Sequence, residues 1–189
     1  MENDDARARL VEAGRALVDA IGRTGVDDAA LTEAADRLRS VEALLRAIEH
    51  ERVPRITYDD AVGMEAYSWQ RWNVVLPHLE MRFDGIKGSA ELPEGLNELY
   101  EGPTGLLHGG ISVVLIDALV TSLAQFHGLR NVTAGLTINF RKPTLLHTPL
   151  TVEAVLEEVH DRKVIVSGSL VSDGKTTVEA TAVLVRVER

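Results

Sequence analysis

The chain has 189 residues, of which 45% are hydrophobic and 26% charged, a composition typical of a soluble globular protein with one good-sized domain and an appendage. Its formal net charge of -9 argues against a nucleic-acid partner, because binding to nucleic acid depends on neutralising phosphates with Lys and Arg. The absence of cysteine excludes disulfides, thiolate nucleophiles and cysteine-based metal sites.

The N-terminus, MENDDARARL, is charged and has no apolar core, so it predicts no signal peptide. The most apolar run extends from Ile111 to Ala124 and contains Asp117. At about 14 residues this run is shorter than a membrane span and is typical of a buried core helix. We therefore expect a cytoplasmic protein with no membrane partner.

Residues 1–52 are predicted to form an N-terminal helical extension. Apolar residues recur there at helical spacing in two groups, namely Leu10, Gly14, Leu17 and Ile21, and then Leu31, Ala34, Leu38, Val41, Leu45 and Ile48. Gly22 and Gly25 separate the groups, and Asp27 or Asp28 is the expected N-cap of the second helix. Two interpretations remain open: the helical hairpin packs on a larger body or on a second copy, or it docks a partner protein.

Residues 53–78 are predicted to be an irregular connecting segment that carries both tryptophans, Trp69 and Trp72. We interpret these side chains as buried contacts between the extension and the following domain, with ligand lining as the alternative.

Residues 79–189 have the pattern of one α+β domain. Period-2 runs on both sides of Asp84-Gly85 predict a hairpin, and an apolar helix runs from His108-Gly109-Gly110 to about Phe126, with Gly128 as its C-cap. Four strands are predicted to follow, at Val132–Arg141, Leu150–Val159, Val164–Val171 and Thr176–Val187. The simplest way to bury a helix that is apolar on nearly every side is to wrap the sheet around it.

The start of this helix and its one acidic residue are candidates for chemistry. Gly109 and Gly110 would let a ligand approach backbone N–H groups that lack a partner within the helix, where the dipole favours a developing oxyanion. Alternatively, the two glycines form only a tight entry into the helix. Asp117 is costly to bury among apolar neighbours unless it is paired or used, so it is a candidate general base or nucleophile. Alternatively, Asp117 and Thr121 point to solvent.

Gly109 and Asp117 cannot act on one carbonyl from the same helix. They are eight residues apart in the sequence, which corresponds to about 12 Å at 1.5 Å per residue. Either they serve different purposes, or Asp117 of one chain meets Gly109 of another. A two-fold dimer with antiparallel central helices would produce two equivalent sites of the second kind.

Several of these motifs together resemble the hotdog-fold acyl-CoA thioesterases of the PaaI-like branch. The motifs are Tyr100-Glu-Gly-Pro, Leu107-His-Gly-Gly-Ile and Asp117, followed by Thr133-Ala-Gly-Leu-Thr-Ile-Asn-Phe-Arg-Lys-Pro143 and Val159-His-Asp-Arg-Lys-Val164. They are especially similar to the subgroup that includes the mammalian mitochondrial acyl-CoA thioesterases. The resemblance covers roughly residues 73–187 and leaves the N-terminal helices outside.

The resemblance implies a hotdog fold, a dimer or a dimer of dimers, and a role for individual residues. The Gly109 N–H would polarise the thioester carbonyl, and Asp117 of the neighbouring protomer would be the general base or nucleophile. Thr133 would position the carboxylate or the attacking water. His108 would orient the loop as a neutral side chain, because an imidazolium is disfavoured at a helix N-terminus.

Substrate binding is assigned to Gly110, Thr121 and four basic residues at strand ends. Arg141, Lys142, Arg162 and Lys163 would suit the phosphates of coenzyme A, or would form ordinary solvated strand ends. The sequence departs from related enzymes at Gly102, where an Asn or Gln is common, and at Ala118, where many relatives have Glu.

The sequence therefore predicts hydrolysis of an acyl thioester, carried by coenzyme A or by an acyl carrier protein, without a metal or organic cofactor. A non-catalytic acyl-binding or scaffold protein is the first alternative. A hotdog hydratase or dehydratase is the second, although the Asp-x-Asn-x-x-His stretch of those enzymes does not occur.

Overall fold

The computed structural model describes residues 2–48 and 73–187. The predicted roles of Trp69 and Trp72, and most of the connecting segment, therefore lie outside the described residues.

Both N-terminal helices are confirmed, and they differ in how they pack. Helix α1 spans Glu2–Arg23 and buries Val11, whereas helix α2 spans Asp28–Leu45 and buries no residue. Asp27 is the N-cap of α2, because its side chain accepts a hydrogen bond from the Ala30 N–H. The prediction that the extension packs on the larger body is therefore confirmed for α1. The apolar side of α2 is exposed in the single chain.

The domain contains an antiparallel sheet of six strands in the order β1-β2-β4-β5-β6-β3. The strands are β1 (Met81–Asp84), β2 (Lys87–Leu92), β3 (Asn131–Phe140), β4 (Leu150–Val159), β5 (Lys163–Ser172) and β6 (Lys175–Arg186). The predicted boundaries of β3 to β6 are correct to within one residue. The first hairpin turn was predicted one residue too early, because Gly85 and Ile86 form it and Gly85 supplies the positive φ of +54°.

Helix α3 (Gly109–Phe126) lies within the curve of this sheet, which confirms the predicted core helix and the hotdog fold. It is the one described helix long and apolar enough to span a membrane, and half of its residues are buried inside the domain. It ends as predicted at Gly128, whose φ is +71°. The N–H groups of Gly128 and Leu129 donate to the carbonyls of Gln125 and Ala124, which is a complete Schellman motif.

The close approach of α3 to β5 depends on Gly168. A Cβ at this position would lie 2.6 Å from Ile116 Cγ2 and 2.9 Å from Val120 Cγ1, and both neighbours are stiff core side chains. We expect Gly168→Ala to lower the free energy of unfolding by about 1–3 kcal/mol, as overpacking of a core typically does. Urea unfolding measures the change. Gly25→Ala is the matched control, since nothing lies within 4 Å of its added Cβ. Equal stability of the two variants would contradict this packing.

Glu98 connects α1 to the domain through both of its carboxylate oxygens. Arg23 Nη2 lies 3.1 Å from Oε2, and His147 Nε2 lies 2.8 Å from Oε1. A hydrogen bond from its own backbone N–H and another from His147 hold the pKa of the Glu98 carboxyl below its ordinary value of 4.5.

This lowered pKa predicts a pH-dependent contribution of Glu98 to stability. A carboxyl whose pKa is lower in the folded state stabilises the fold above its unfolded pKa, and the contribution is lost as the pH falls through the folded value. We expect the wild type to resist urea better than Glu98→Gln at neutral pH, and the difference between their midpoints to vanish well below pH 4.5. A difference that persists in strong acid would contradict the assignment.

Candidate active site

His108 caps the N-terminus of α3. Its φ and ψ are -62° and 128°, and its Nδ1 accepts a hydrogen bond of 3.0 Å from the Gly110 N–H. Because Nδ1 accepts this bond, it carries no proton in this arrangement. The His108 N–H donates to the carbonyl of Tyr100, which joins the cap to the loop before it. This geometry is consistent with a neutral side chain that orients the loop.

The Gly109 N–H has no hydrogen-bond partner among the residues that the structure describes. It is the first N–H of α3, so it lies at the positive end of the helix dipole. A Cβ on Gly109 would lie 3.1 Å from Cζ of Phe140, at the end of β3. The glycine therefore lets the start of the helix lie directly against this ring. Gly109 retains a free donor of the kind that stabilises an oxyanion.

Asp117 and Thr133 form a hydrogen-bonded pair between α3 and β3. The Thr133 hydroxyl donates to Asp117 Oδ1 over 2.8 Å. Asp117 is half-buried in the single chain, rather than buried as predicted, and Thr133 is exposed. The hydrogen bond orients the carboxylate and leaves Oδ2 for another partner.

A β-bulge directs Thr133 towards the helix. The register of β3 against β6 shifts between Thr133 and Gly135, so that Ala134 is an extra residue. Further along β3, Leu136 and Ile138 pack against the core, and simple alternation would put Thr133 on the opposite face. The bulge restores Thr133 to the inner face, opposite the buried Leu184.

Two residues assigned to substrate binding already have their polar donors engaged. The Gly110 N–H donates to His108, as described above. The Thr121 hydroxyl donates to the carbonyls of Asp117 and Ala118 within its own helix, over 2.7 and 3.1 Å. Neither group offers a free donor to a ligand in this arrangement.

The four basic residues do not cluster within one chain. Arg162 and Lys163 lie at the start of β5, at the end of the sheet where β3 begins, whereas Arg141 and Lys142 follow the end of β3. The two pairs are therefore separated by the length of β3, about 30 Å for nine steps of 3.3 Å. Arg141 also forms an ion pair of 2.8 Å with Glu179.

The loop before α3 requires a glycine at position 102. A Cβ at Gly102 would lie 2.9 Å from the backbone Cα of His108, so no side chain fits there without moving the helix cap. Glu101, beside it, accepts a hydrogen bond of 2.6 Å from the Gly105 N–H and closes the loop. An amide side chain at position 102 is thus excluded by this backbone.

The structure also contains an apolar groove along the central helix, and the sequence did not predict its wall before β1. It is a shallow groove, partly open to solvent, between the chain before β1 and one face of α3. One side is formed by Leu76, Pro77 and Leu79, and the other by Ile111, Val114, Leu115 and Ala118. The helical residues have the spacing of one face, but residues 76–79 show no periodicity that would have identified them.

Among the described residues, no group of three or more His, Asp or Glu side chains could hold a metal ion.

Comparison with known proteins supports the family resemblance. Residues 104–185 match the family model of the thioesterase superfamily. Acyl-coenzyme A thioesterase THEM4 of Mus musculus is 31% identical over 90 residues, which are 47% of this chain and 39% of that protein. The Xenopus laevis THEM4 is 30% identical over 89 residues, or 46% of this chain and 40% of that protein. The chain thus aligns with about two fifths of the length of these relatives.

Solved structures share the fold. The crystal structure of a thioesterase superfamily protein has a TM-score of 0.81 and 26% identity, and covers 95% of this chain and 90% of its own, so the similarity extends into the N-terminal helices. The PaaI protein of E. coli has a TM-score of 0.53 with 18% identity, and covers 57% of this chain and 82% of its own. A Streptococcus pneumoniae thioesterase protein solved with coenzyme A has a TM-score of 0.54 with 18% identity, and covers 58% of this chain and 89% of its own.

Proposed function

We propose that this chain, whose residues 104–185 match the thioesterase superfamily, hydrolyses acyl-coenzyme A at a site shared between two copies. The observation that carries the proposal is the Asp117 carboxylate, held by Thr133 at 2.8 Å on a helix whose first N–H, that of Gly109, has no partner among the described residues. The name of the THEM4 relatives and the coenzyme A bound to the Streptococcus pneumoniae protein support acyl-coenzyme A as the substrate. An acyl carrier protein is the other carrier of such thioesters.

The reaction needs a polarised carbonyl and an activated water. The Gly109 N–H donates to the thioester oxygen, where negative charge develops as the carbonyl is attacked. The Asp117 carboxylate removes a proton from a water molecule that attacks the carbonyl carbon, or it attacks the carbon itself and forms a mixed anhydride that water then hydrolyses. The carbon–sulfur bond breaks, the thiolate takes up a proton, and the products are a carboxylic acid and free coenzyme A.

Strand β3 supplies the geometry for a shared site. It is an edge strand, and its unpaired backbone groups favour pairing with another strand. Thr133 near its start contacts Asp117, and Phe140 at its end lies against Gly109. An antiparallel pairing of two β3 strands about a central two-fold brings the start of one beside the end of the other. Asp117 of each copy would then face Gly109 of the other copy.

The same pairing would assemble the basic residues. Arg162 and Lys163 lie at the end of the sheet where β3 begins, which is where the second copy's β3 ends. Arg141 and Lys142 of the second copy would therefore join them in one basic cluster. Such a cluster beside the reacting carbonyl would suit the phosphates of coenzyme A.

A non-catalytic acyl-binding protein is the second candidate function. It is favoured by Gly102, where the backbone excludes the amide side chain that is common in related enzymes. The two functions differ in whether the thioester bond is broken.

Release of free thiol from a panel of short-chain, aromatic and long-chain acyl-coenzyme A substrates tests the proposal. We expect turnover that follows the concentration of oligomer, with a dimer or a larger assembly of dimers in light scattering. Saturable binding of every panel member without thiol release would favour the second candidate function. A monomer at micromolar concentration would contradict the shared site.

A further inference from the structure

We propose that helix α1 sets the acyl-chain selectivity of the enzyme by holding the outer wall of the apolar groove beside Asp117. The inference rests on the proposed function, and it gives the N-terminal helix a role in substrate choice. The expected occupant is an unsubstituted hydrocarbon acyl chain, aliphatic or aromatic, because every residue that lines the groove is apolar. A polar substituent would lose its hydration there without finding a partner.

The groove adjoins the position of Asp117 along α3. Ala118 follows Asp117 directly, and Val114 precedes it by three residues on α3. Both are therefore within about one helical turn, 5.4 Å, of the carboxylate-bearing residue. An acyl chain leaving a carbonyl beside Asp117 meets this apolar face first.

The opposite wall belongs to a segment outside the sheet. Leu76 and Pro77 line the groove, but they lie before β1 and share none of its ladder hydrogen bonds. Within this segment, Asn73 Oδ1 accepts from the N–H groups of Val75 and Leu76 over 2.8 and 3.1 Å. The wall is thus a small hydrogen-bonded turn. Its position depends on the contacts that other parts of the chain make with residues 73–75.

Helix α1 holds that turn at two points. Arg15 donates from Nε and Nη2 to the Asn73 carbonyl, over 3.2 and 2.8 Å. Gly14 lies so close to the turn that a Cβ on it would be 3.0 Å from Val74 Cγ1. A planar guanidinium with two donors fixes direction as well as distance, which a single ammonium does not.

Tyr100 holds the turn from the other side. Its hydroxyl donates to the Val75 carbonyl over 3.0 Å. Burial raises the pKa of this phenol above its ordinary value of 10.0, so the donor proton is retained throughout any ordinary assay range. Tyr100 also packs against the buried core, and its hold on the turn therefore remains when α1 is altered.

Removing the Arg15 contact should therefore loosen one wall without abolishing the fold. Arg15 is a positioning residue, since it touches the wall rather than the substrate. With Arg15 in place, affinity should rise about fourfold for each methylene group that enters the groove, the factor expected for burial of one CH₂. In Arg15→Ala we expect this gradient to fall below twofold per methylene, with little change in affinity for acetyl-coenzyme A.

Calorimetric titration with acetyl-, butanoyl-, hexanoyl- and octanoyl-coenzyme A tests the inference. The titrations use the Asp117→Asn background, in which hydrolysis during the measurement is expected to be slowed by about 10²–10⁴-fold. Arg15→Lys should give an intermediate gradient. Arg37→Ala is the matched control, because Arg37 is an exposed arginine of α2 that pairs with Glu33. Ala118→Leu fills the groove directly and should weaken octanoyl binding most, which tests the groove even if an Arg15 variant does not fold.

If the affinity of the Asp117→Asn parent, with Arg15 in place, does not depend on chain length, the inference is overturned. An Arg15→Ala gradient equal to that of Arg37→Ala would also overturn it. A uniform loss for all four ligands would mean that Arg15 has only a general structural role, and would overturn it too. If the chain-length gradient is lost in Arg15→Ala but the wild type releases no thiol, the proposed hydrolysis is refuted and the inference stands. If the wild type releases thiol but the gradient is unchanged in Arg15→Ala, the inference is refuted and the proposed hydrolysis stands.

Discussion

Asp117→Asn is expected to lower kcat/KM for acyl-coenzyme A hydrolysis by about 10²–10⁴-fold, the range that a positioned general base contributes. The asparagine amide has the shape of the carboxylate, and its oxygen still accepts a hydrogen bond from Thr133. In the wild type the Thr133 hydroxyl oxygen lies 2.8 Å from Asp117 Oδ1. It cannot take a proton from water, and it is a poor nucleophile. We therefore expect the fold and the substrate affinity to be retained while the chemical step is lost. Thiol release under single-turnover conditions measures that step directly.

Asp84→Asn is the matched control for this change. Asp84 is an exposed carboxylate at the end of β1, on the opposite edge of the sheet from β3. Its removal changes the net charge by the same amount, and should leave kcat/KM within twofold. The urea midpoints of both variants should match that of the wild type. Wild-type turnover by Asp117→Asn would refute the role of this carboxylate and, with it, the proposed mechanism.

The sequence predicted the framework of the site because each part has a local signal. A helix that is apolar on nearly every side must be wrapped, and Gly128 and Asp27 are end signals with a known physical basis. The period-2 runs located β3 to β6 to within one residue. The motif from His108 to Asp117 lies on one continuous helix, so its internal spacing follows from helix geometry alone.

Two features of the site have little or no local signal. Thr133 reaches Asp117 only because a bulge at Ala134 reverses the alternation of β3, and the single Gly135 beside it is a weak indication of a bulge. The groove wall at Leu76 and Pro77 depends on an arginine more than fifty residues away in the sequence. Such features are produced by tertiary contacts, and periodicity reports only the contacts of each element with the core.

The residues that the sequence assigned to substrate binding also depend on tertiary contacts that sequence patterns do not report. Thr121 lies four residues after Asp117 on the same helix, but its hydroxyl is satisfied by the carbonyls of its own helix. Arg141 and Arg162 both lie at strand ends, and sequence alone does not show that these are opposite ends of the sheet. A second copy of the chain is needed before the two can serve one ligand.

Gly109→Pro should remove the proposed oxyanion donor with little disturbance of the backbone, and lower kcat by about 10²–10³-fold. Gly109 is the first residue of α3, a position where proline is favoured because the N–H has no helical partner. The preceding His108 has φ and ψ of -62° and 128°, in the region that a residue before proline adopts. Gly109→Ala is the matched control, because it places a Cβ against the same Phe140 ring and keeps the N–H.

We expect Gly109→Ala to retain most of the activity that Gly109→Pro loses. The ring of Phe140 is 60% exposed in the single chain, and the added Cβ requires it to shift by only a few tenths of an ångström. Equal losses in the two variants would mean that space at the helix start, rather than the donor, determines the rate. Steady-state thiol release with saturating substrate separates the two outcomes, since the lost interaction is one made mainly in the transition state.

The two inactive variants together test whether the site is shared. In a dimer of Asp117→Asn with Gly109→Pro, one site carries both changes and the other carries neither, because each site takes its carboxylate and its N–H from different copies. Co-expression in equal amounts gives mixed dimers for about half of the population, each with one intact site, so about a quarter of the wild-type activity should return. If both groups of a site came from one chain, no mixture would exceed the mean of the two inactive proteins. Recovery therefore requires that Asp117 of one copy act with Gly109 of the other, which is what pairing of the β3 edges demands.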